Sequence, residues 1–307
     1  MKKKQAVLVA VLAIALIVGA YFVAGWMAPV PIKLDTIVYH VCENEEIGNV
    51  TMHVPNVTDV YQQILTANNN TYPNILLFPT YAGTWEDELA WLTNNFGGAN
   101  GIPIMLEVFY SVNLTENPVC SLTTTQISAA MEVCNVKWLR FAEVVSRHIE
   151  YNLTFPDEYV KTILSFCRDH NLKLFWTEWK AGTFEEIKTY ISGFENITTV
   201  SFSTNSGEME PADGFAHVKD LFLHWGGSVQ SWYWETWLRE KNGDGPIDEE
   251  ESRNMPIQLI IDHALLCRKM GAEVIQFEPY WYFFGDTDGK ARESLALMHS
   301  SLNSQRP

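Results

Sequence analysis

Positive charge is what this sequence is short of. Lysine and arginine number 21 against 37 aspartates and glutamates, a formal net charge of −16 over 307 residues. Nothing in the chain forms the basic stripe that neutralising phosphates requires, which excludes nucleic acid as the partner. A neutral or cationic substrate suits this balance better. Histidine is too sparse for a metal-dependent hydrolase, since no His-x-His occurs and His40 alone sits at a predicted strand end. The five cysteines form no C-x-x-C pair and no Cys/His group with zinc spacing, so no metal and no cofactor is expected. A Gly-x-Ser-x-Gly elbow is also missing, which removes the usual serine nucleophile. The turn after the first predicted strand reads Glu43-Asn44-Glu45-Glu46, acidic where a dinucleotide fold carries glycines.

What is present begins with Lys2, Lys3 and Lys4, followed by an apolar run from Ala6 to Trp26. That run is long enough to cross a bilayer as a helix. The positive-inside rule keeps the lysines cytoplasmic and places the rest of the chain outside. Val23-Ala24-Gly25 offers the small residues of a cleavage site, so a secreted form is the alternative. Two parts are expected: residues 1–33 as signal anchor and tether, and residues 34–307 as the folded domain. Six Asn-X-Ser/Thr acceptors, at Asn49, Asn56, Asn69, Asn113, Asn152 and Asn196, fit export and glycosylation. Cys120 and Cys134 flank one segment and could pair in an oxidising compartment. Cys167 and Cys267 lie on apolar helix faces and read as buried small hydrophobes.

From Thr36 onward, strand and helix signals alternate. Strands are expected at Thr36–Cys42, Asn74–Thr80, Gly101–Tyr110, Val136–Val145, Leu172–Glu178, Thr198–Thr204, Ser228–Trp234 and Ala272–Phe277. Helices follow each, from Val57–Ala67 to Lys290–Asn303, with Gly226-Gly227 as the stop between a helix and the seventh strand. Alternating β and α imposes parallel pairing with helices outside. Eight such units in about 270 residues match a closed (β/α)8 TIM barrel, typically about 250 residues. An open doubly wound sheet is the competitor, disfavoured by the acidic first turn.

Four of these strands close on a glutamate: Glu143, Glu178, Glu235 and Glu278. Active sites of such barrels lie at the strand C-termini. Period-two counting groups Leu139, Phe141 and Glu143, then Leu174, Trp176 and Glu178, then Ser231, Tyr233 and Glu235, then Val274, Gln276 and Glu278. Polar Ser231 and Gln276 on the glutamate faces favour those faces as the interior, because outer faces pack on apolar helices. The expected catalytic pair is Glu143 and Glu235. Glu178, Glu278, Trp176, Trp179, Trp234, Trp237, Trp281, Tyr233, Tyr280 and His40 are the expected substrate contacts, with Glu107, Tyr39 and Glu43 as lesser candidates. Two carboxylates flanking a cleft are the minimum for glycosidic hydrolysis, and aromatic rings offer flat surfaces to sugar C–H faces. Each carries a structural alternative: Glu143 could pair with Arg140 or Arg147, and strand aromatics more often pack than bind.

On these residues the chain resembles the (β/α)8 glycoside hydrolases of the large retaining clan, which carry glutamates at the ends of strands four and seven. The resemblance implies Glu143 as acid/base and Glu235 as nucleophile, acting on an oligo- or polysaccharide. Ala142 stands where that clan has asparagine. Gln276-Phe277-Glu278 is similar to glycoside hydrolase family 98, which implies inverting chemistry and a different second carboxylate. The competing reading is a catalytically inactive carbohydrate-binding barrel at the cell surface.

Overall fold

The structure is a computed structural model. It describes residues 34, 36–40, 44–47, 50–53, 57–68, 74–78, 85–96, 101–110, 120–150, 152–204, 209–230, 256–277, 283 and 290–304. The expected anchor and tether lie outside these residues. Among the described residues no helix is long and apolar enough to cross a membrane.

In chain order the elements are β1 (Thr36–His40), β2 (Asn44–Ile47), β3 (Val50–His53), α1 (Val57–Asn68), β4 (Asn74–Phe78), α2 (Trp85–Phe96) and β5 (Pro103–Tyr110). Next come β6 (Cys120–Ser121), α3 (Thr124–Val133), β7 (Asn135–Ala142), α4 (Val144–Glu150), α5 (Asp157–Asp169), β8 (Lys173–Glu178) and α6 (Thr183–Tyr190). The chain continues through β9 (Thr198–Ser203), α7 (Pro211–Leu221), β10 (Trp225–Val229), α8 (Ile257–Lys269), β11 (Val274–Phe277) and α9 (Lys290–Ser304). β1, β4, β5, β7, β8, β9, β10 and β11 pair in parallel, each with the next, and β11 pairs back onto β1. The ring is therefore a parallel α/β barrel, as the alternation of signals predicts. Two short additions fall outside that expectation: β2 and β3 form a separate antiparallel hairpin, and β6 runs antiparallel to the end of β5.

Local chemistry accounts for the helix boundaries. Thr123 caps α3 in a capping box: its hydroxyl accepts the Gln126 N–H, while the Gln126 side chain accepts the Thr123 N–H at 2.8 Å. α5 opens with Asp157 and Glu158 in its first turn, where carboxylates suit the positive end of the helix dipole. Its Val160, Ile163, Leu164 and Cys167 recur at helical spacing and are buried against the sheet.

Two apolar clusters show which way each strand faces. Val38, Met105, Trp138, Phe175 and Val274 form a small cluster of their own. They come from five strands spread around the ring, so they can meet only in the lumen. The larger cluster takes the alternate residues, including Tyr39, Leu106, Leu139, Phe141, Leu174, Trp176, Val200, Phe202, Ile275 and Phe277, together with the helices. The faces of β7 and β8 are thus opposite to the sequence-based expectation: Leu139 and Phe141, and Leu174 and Trp176, pack outward. Period two gives each strand two faces without naming the inner one, and here both faces carry rings. Phe141 and Trp176 meet edge to face in the sheet–helix layer at 5.1 Å between centroids, while Trp138 and Phe175 meet edge to face in the lumen at 6.5 Å.

The glycine pair also reads differently. Gly226 and Gly227 lie within β10 and do not stop the preceding helix, so the seventh barrel strand begins three residues earlier, at Trp225. A Cβ on Gly227 would sit 2.4 Å from the Cys267 sulfur and 2.9 Å from Phe215, and one on Gly226 would sit 2.6 Å from the Val274 carbonyl oxygen. Close approach, not chain reversal, explains these glycines.

Cys134, Cys167 and Cys267 are buried free thiols. This overturns the proposed Cys120–Cys134 bond: the Cys134 thiol turns to the Leu92 carbonyl oxygen at 3.6 Å. Burial raises the Cys167 thiol to about 12 and Cys267 well above its ordinary value, as inert packing residues require. Of the glycosylation acceptors, Asn152 and Asn196 are exposed, and the other four lie outside the described residues.

Candidate functional site

The lumen is built in two tiers. Each residue of the apolar cluster has a polar or small residue two positions further along its strand, one step nearer the C-terminal mouth. Met105 is followed in this sense by Glu107, Trp138 by Arg140, Phe175 by Thr177, and Val274 by Gln276. Strand pairing extends the upper tier sideways, since Thr177 registers with Ser201, Ser203 with Ser228, and Ser228 with Gln276. All of these side chains are buried. An apolar floor under a polar ceiling is a ligand-site arrangement rather than a packing one.

Two features of the upper tier point to chemistry. The hydroxyls of Thr177, Ser203 and Ser228 and both amide atoms of Gln276 are buried without a hydrogen-bond partner among the described residues. Leaving such a group unmatched costs about 1–3 kcal/mol each, so folded chains retain them where a ligand or water completes them. Glu107 and Arg140, register partners on β5 and β7, form an ion pair inside the lumen. Burial raises the Glu107 carboxyl; the Arg140 charge and hydrogen bond oppose that rise, and the nearby Glu143 charge adds to it.

Glu143 stands at the step from β7 into α4. Its φ is +54°, the left-handed region that a non-glycine residue enters at a cost of about 1–3 kcal/mol. Its N–H donates to the Thr177 carbonyl at 2.8 Å, and its carbonyl accepts the Arg147 N–H at 2.9 Å, so strand turns to helix within one residue. Its carboxylate accepts from Arg147 at 2.9 Å. Of the two arginines weighed from sequence, Arg147 pairs with Glu143, and Arg140 with Glu107.

The remaining expectations divide into three groups. Glu178 and Trp176, expected as sugar contacts, are buried on the helix-facing side of β8. The Glu178 carboxylate accepts from the Val145 and Ser146 N–H groups and from the Trp176 indole, at 2.8, 2.9 and 2.9 Å. Both are therefore turned away from the lumen, a correction that follows from the reversed face of β8. Tyr39 likewise faces outward, hydrogen-bonded to His299 of α9 and stacked on Phe277. Trp179, just past β8, is half-buried with Lys180 over its ring at 4.6 Å, and His40 ends β1. Glu43, Tyr233, Trp234, Glu235, Trp237, Glu278, Tyr280 and Trp281 lie outside the described residues. Sequence reading missed Arg140, Thr177, Ser201, Ser203 and Ser228 as lumen residues. A signal existed in β9, where Thr199, Ser201 and Ser203 alternate with apolar Val200 and Phe202. Among the described residues no group of three potential ligands could hold a metal ion.

No protein-family model matches this chain, and no curated protein matches its sequence. Solved structures do match its fold. The catalytic module of a family 98 glycoside hydrolase from Streptococcus pneumoniae, in complex with the H-disaccharide blood group antigen, superposes with a TM-score of 0.59 at 11% identity. That match covers 83% of this chain and 48% of the other, so this chain spans about half the length of the module. The same module with the LewisY pentasaccharide gives 0.57 at 10% identity over the same shares. Phospho-2-dehydro-3-deoxyheptonate aldolase from Thermotoga maritima gives 0.50 at 12% identity, covering 88% of this chain and 69% of that one. At these identities the likeness is one of fold: a (β/α)8 barrel similar to that of family 98 glycoside hydrolases. Two unrelated chemistries on one scaffold leave the activity to be argued from the site.

Proposed function

We propose that this protein is a glycoside hydrolase that takes an oligosaccharide at the C-terminal mouth of its barrel, with Glu143 as one of the reacting carboxylates. The observation that carries the proposal is the strained left-handed bend at Glu143, held at a barrel strand end beside a polar upper lumen. Strain kept at a non-glycine position commonly marks a site where geometry serves function. The unmatched hydroxyl and amide groups of Thr177, Ser203, Ser228 and Gln276 suit a neutral, hydroxyl-rich ligand. Arg147 fixes the Glu143 carboxylate by an ion pair at 2.9 Å, which sets the direction from which it meets a ligand. Glu235 remains the sequence-based choice for the second carboxylate, with Glu278 as its replacement should the chemistry be inverting. The protein is further proposed to act outside the cell, held by its N-terminal segment.

One observation favours the inactive carbohydrate-binding barrel: both described carboxylates at the lumen, Glu107 and Glu143, are matched to arginines. The two readings separate in one experiment. The full chain is incubated with an oligosaccharide panel that includes the H-disaccharide and the LewisY pentasaccharide. Binding is read by calorimetry and cleavage by NMR. Binding with no cleavage supports the silent barrel. Cleavage that is lost in Glu143→Gln and in Glu235→Gln supports the hydrolase.

A further inference from the structure

Glu178 presents a problem that core packing alone does not answer. A fully buried carboxylate is costly unless its acceptors are filled. This one reaches out of β8 to the helix that follows β7. Oε1 accepts the Val145 N–H and the Trp176 indole N–H, and Oε2 accepts the Ser146 N–H. Val145 and Ser146 belong to the first turn of α4, whose N–H groups have no partner within the helix. α4 has seven residues, too few to persist by its own propensity.

The residue immediately before α4 is Glu143. Its bend is therefore gripped twice by β8, at its own N–H by the Thr177 carbonyl and one turn on by the Glu178 carboxylate. A strained conformation of this kind survives only where its surroundings over-determine it. The Thr177 bond fixes where the strand ends. The Glu178 bonds fix the direction in which the helix departs, and hence the bend between them.

We propose that Glu178 is a positioning residue that clamps the first turn of α4 and thereby holds Glu143 in its left-handed bend at the barrel mouth. Its consequence for turnover rests on the reading of Glu143 as a reacting carboxylate; its consequence for geometry does not. Glu178 acts through Glu143 and not on the sugar, since it occupies the helix-facing side of β8.

The test is a crystal structure and native-state hydrogen exchange of full-length Glu178→Ala, Glu178→Gln and, as control, Trp176→Phe. Trp176→Phe removes one donor to the same carboxylate but leaves the α4 contacts in place. In both Glu178 variants, Glu143 is expected to leave the left-handed region, and the Val145 and Ser146 amides to exchange about tenfold faster or more, as loss of a buried hydrogen bond implies. In Trp176→Phe both stay as in the parent. Should the alanine variant fail to fold, the glutamine variant gives the same two readings. Glu143 remaining near +54° with unaltered exchange in the Glu178 variants overturns the clamp. On any oligosaccharide that the parent cleaves, kcat is expected to fall about tenfold or more with KM unchanged, the signature of a misaligned reacting group. An altered bend with unchanged kcat overturns the catalytic consequence. A parent that cleaves nothing refutes the hydrolase reading, while the bend and the exchange rates still decide the clamp.

Discussion

Removing the charge of Glu107 perturbs the lumen at the point where two opposite charges are buried together. Glu107 and Arg140 are 1% and 4% exposed, and they pair across adjacent strands. In Glu107→Gln the guanidinium stays charged at any working pH and loses its anionic partner while remaining inside the barrel. Breaking a buried pair from one side costs about 3–5 kcal/mol. The glutamine oxygen still accepts one hydrogen bond, which puts the expectation near the lower end, about 3 kcal/mol. For a domain of this size that lowers Tm by roughly 6–12 °C. Replacing both residues, Glu107→Leu with Arg140→Met, removes both charges and leaves apolar groups of similar volume. The double variant is expected within about 1 kcal/mol of the parent or above it. Urea denaturation of the parent, Glu107→Leu, Arg140→Met and the double variant completes a double-mutant cycle. A Glu107→Gln variant within about 0.5 kcal/mol of the parent, the range of ordinary surface substitutions, would mean that the pair is solvated and the two-tier lumen is wrong.

Further outcomes follow from other parts of the barrel. Gly227→Ala is expected to destabilise by about 1–3 kcal/mol through overpacking against Cys267 and Phe215, with partial recovery in Gly227→Ala/Cys267→Ala; a neutral Gly227→Ala contradicts the assigned register of β10. Gly226→Ala meets a backbone carbonyl that no rotamer change can move, so it should cost more than Gly227→Ala in the same denaturation assay. Burial pushes the Glu178 carboxyl up to about 7, against the opposing bonds from Ser146, Val145 and Trp176. The folded chain therefore holds this proton more tightly than the unfolded chain, whose carboxyl titrates near about 4.3. The stability that it contributes is full below that value and is lost as pH rises through about 7. The fall in stability between these limits should flatten in Glu178→Gln, and an identical slope in both proteins refutes the assignment.

The architecture was legible because it rests on repetition. Alternating strand and helix signals locate all eight barrel strands, and their failure to carry a phosphate turn separates a closed ring from an open one. Orientation was not legible, for a physical reason. Period-two counting yields two faces per strand without saying which is inner, and Ser231 and Gln276 supplied the only tiebreak. Gln276 does face the lumen, but the rule did not transfer to β7 and β8. There Arg140 and Thr177 are the inward polar residues, flanked by outward Phe141 and Trp176. The glutamates closing those strands then met different fates. Glu143 ended close enough to Glu107 for its charge to act on that carboxyl, at a positive φ that no sequence pattern announces, and Glu178 stayed on the helix side. The glycine pair misled because its usual meaning as punctuation masks a second one, close packing of Gly227 against Cys267 and Phe215 and of Gly226 against the Val274 carbonyl. The β2–β3 hairpin was missed because Glu45 and Glu46 lower strand propensity in a stretch that reads as a polar loop.

The central claim is that Glu143, held in its bend above the polar lumen, takes part in breaking a glycosidic bond. Its most direct test is time-resolved NMR of the full chain with the oligosaccharide panel, comparing the parent with Glu143→Gln at matched folded concentration. New reducing-end signals are expected with the parent, and a rate lower by about 10²- to 10⁴-fold in the variant, the usual worth of a positioned acid or base. Equal rates in the two proteins, or no cleavage by the parent of any sugar that it binds, would contradict it.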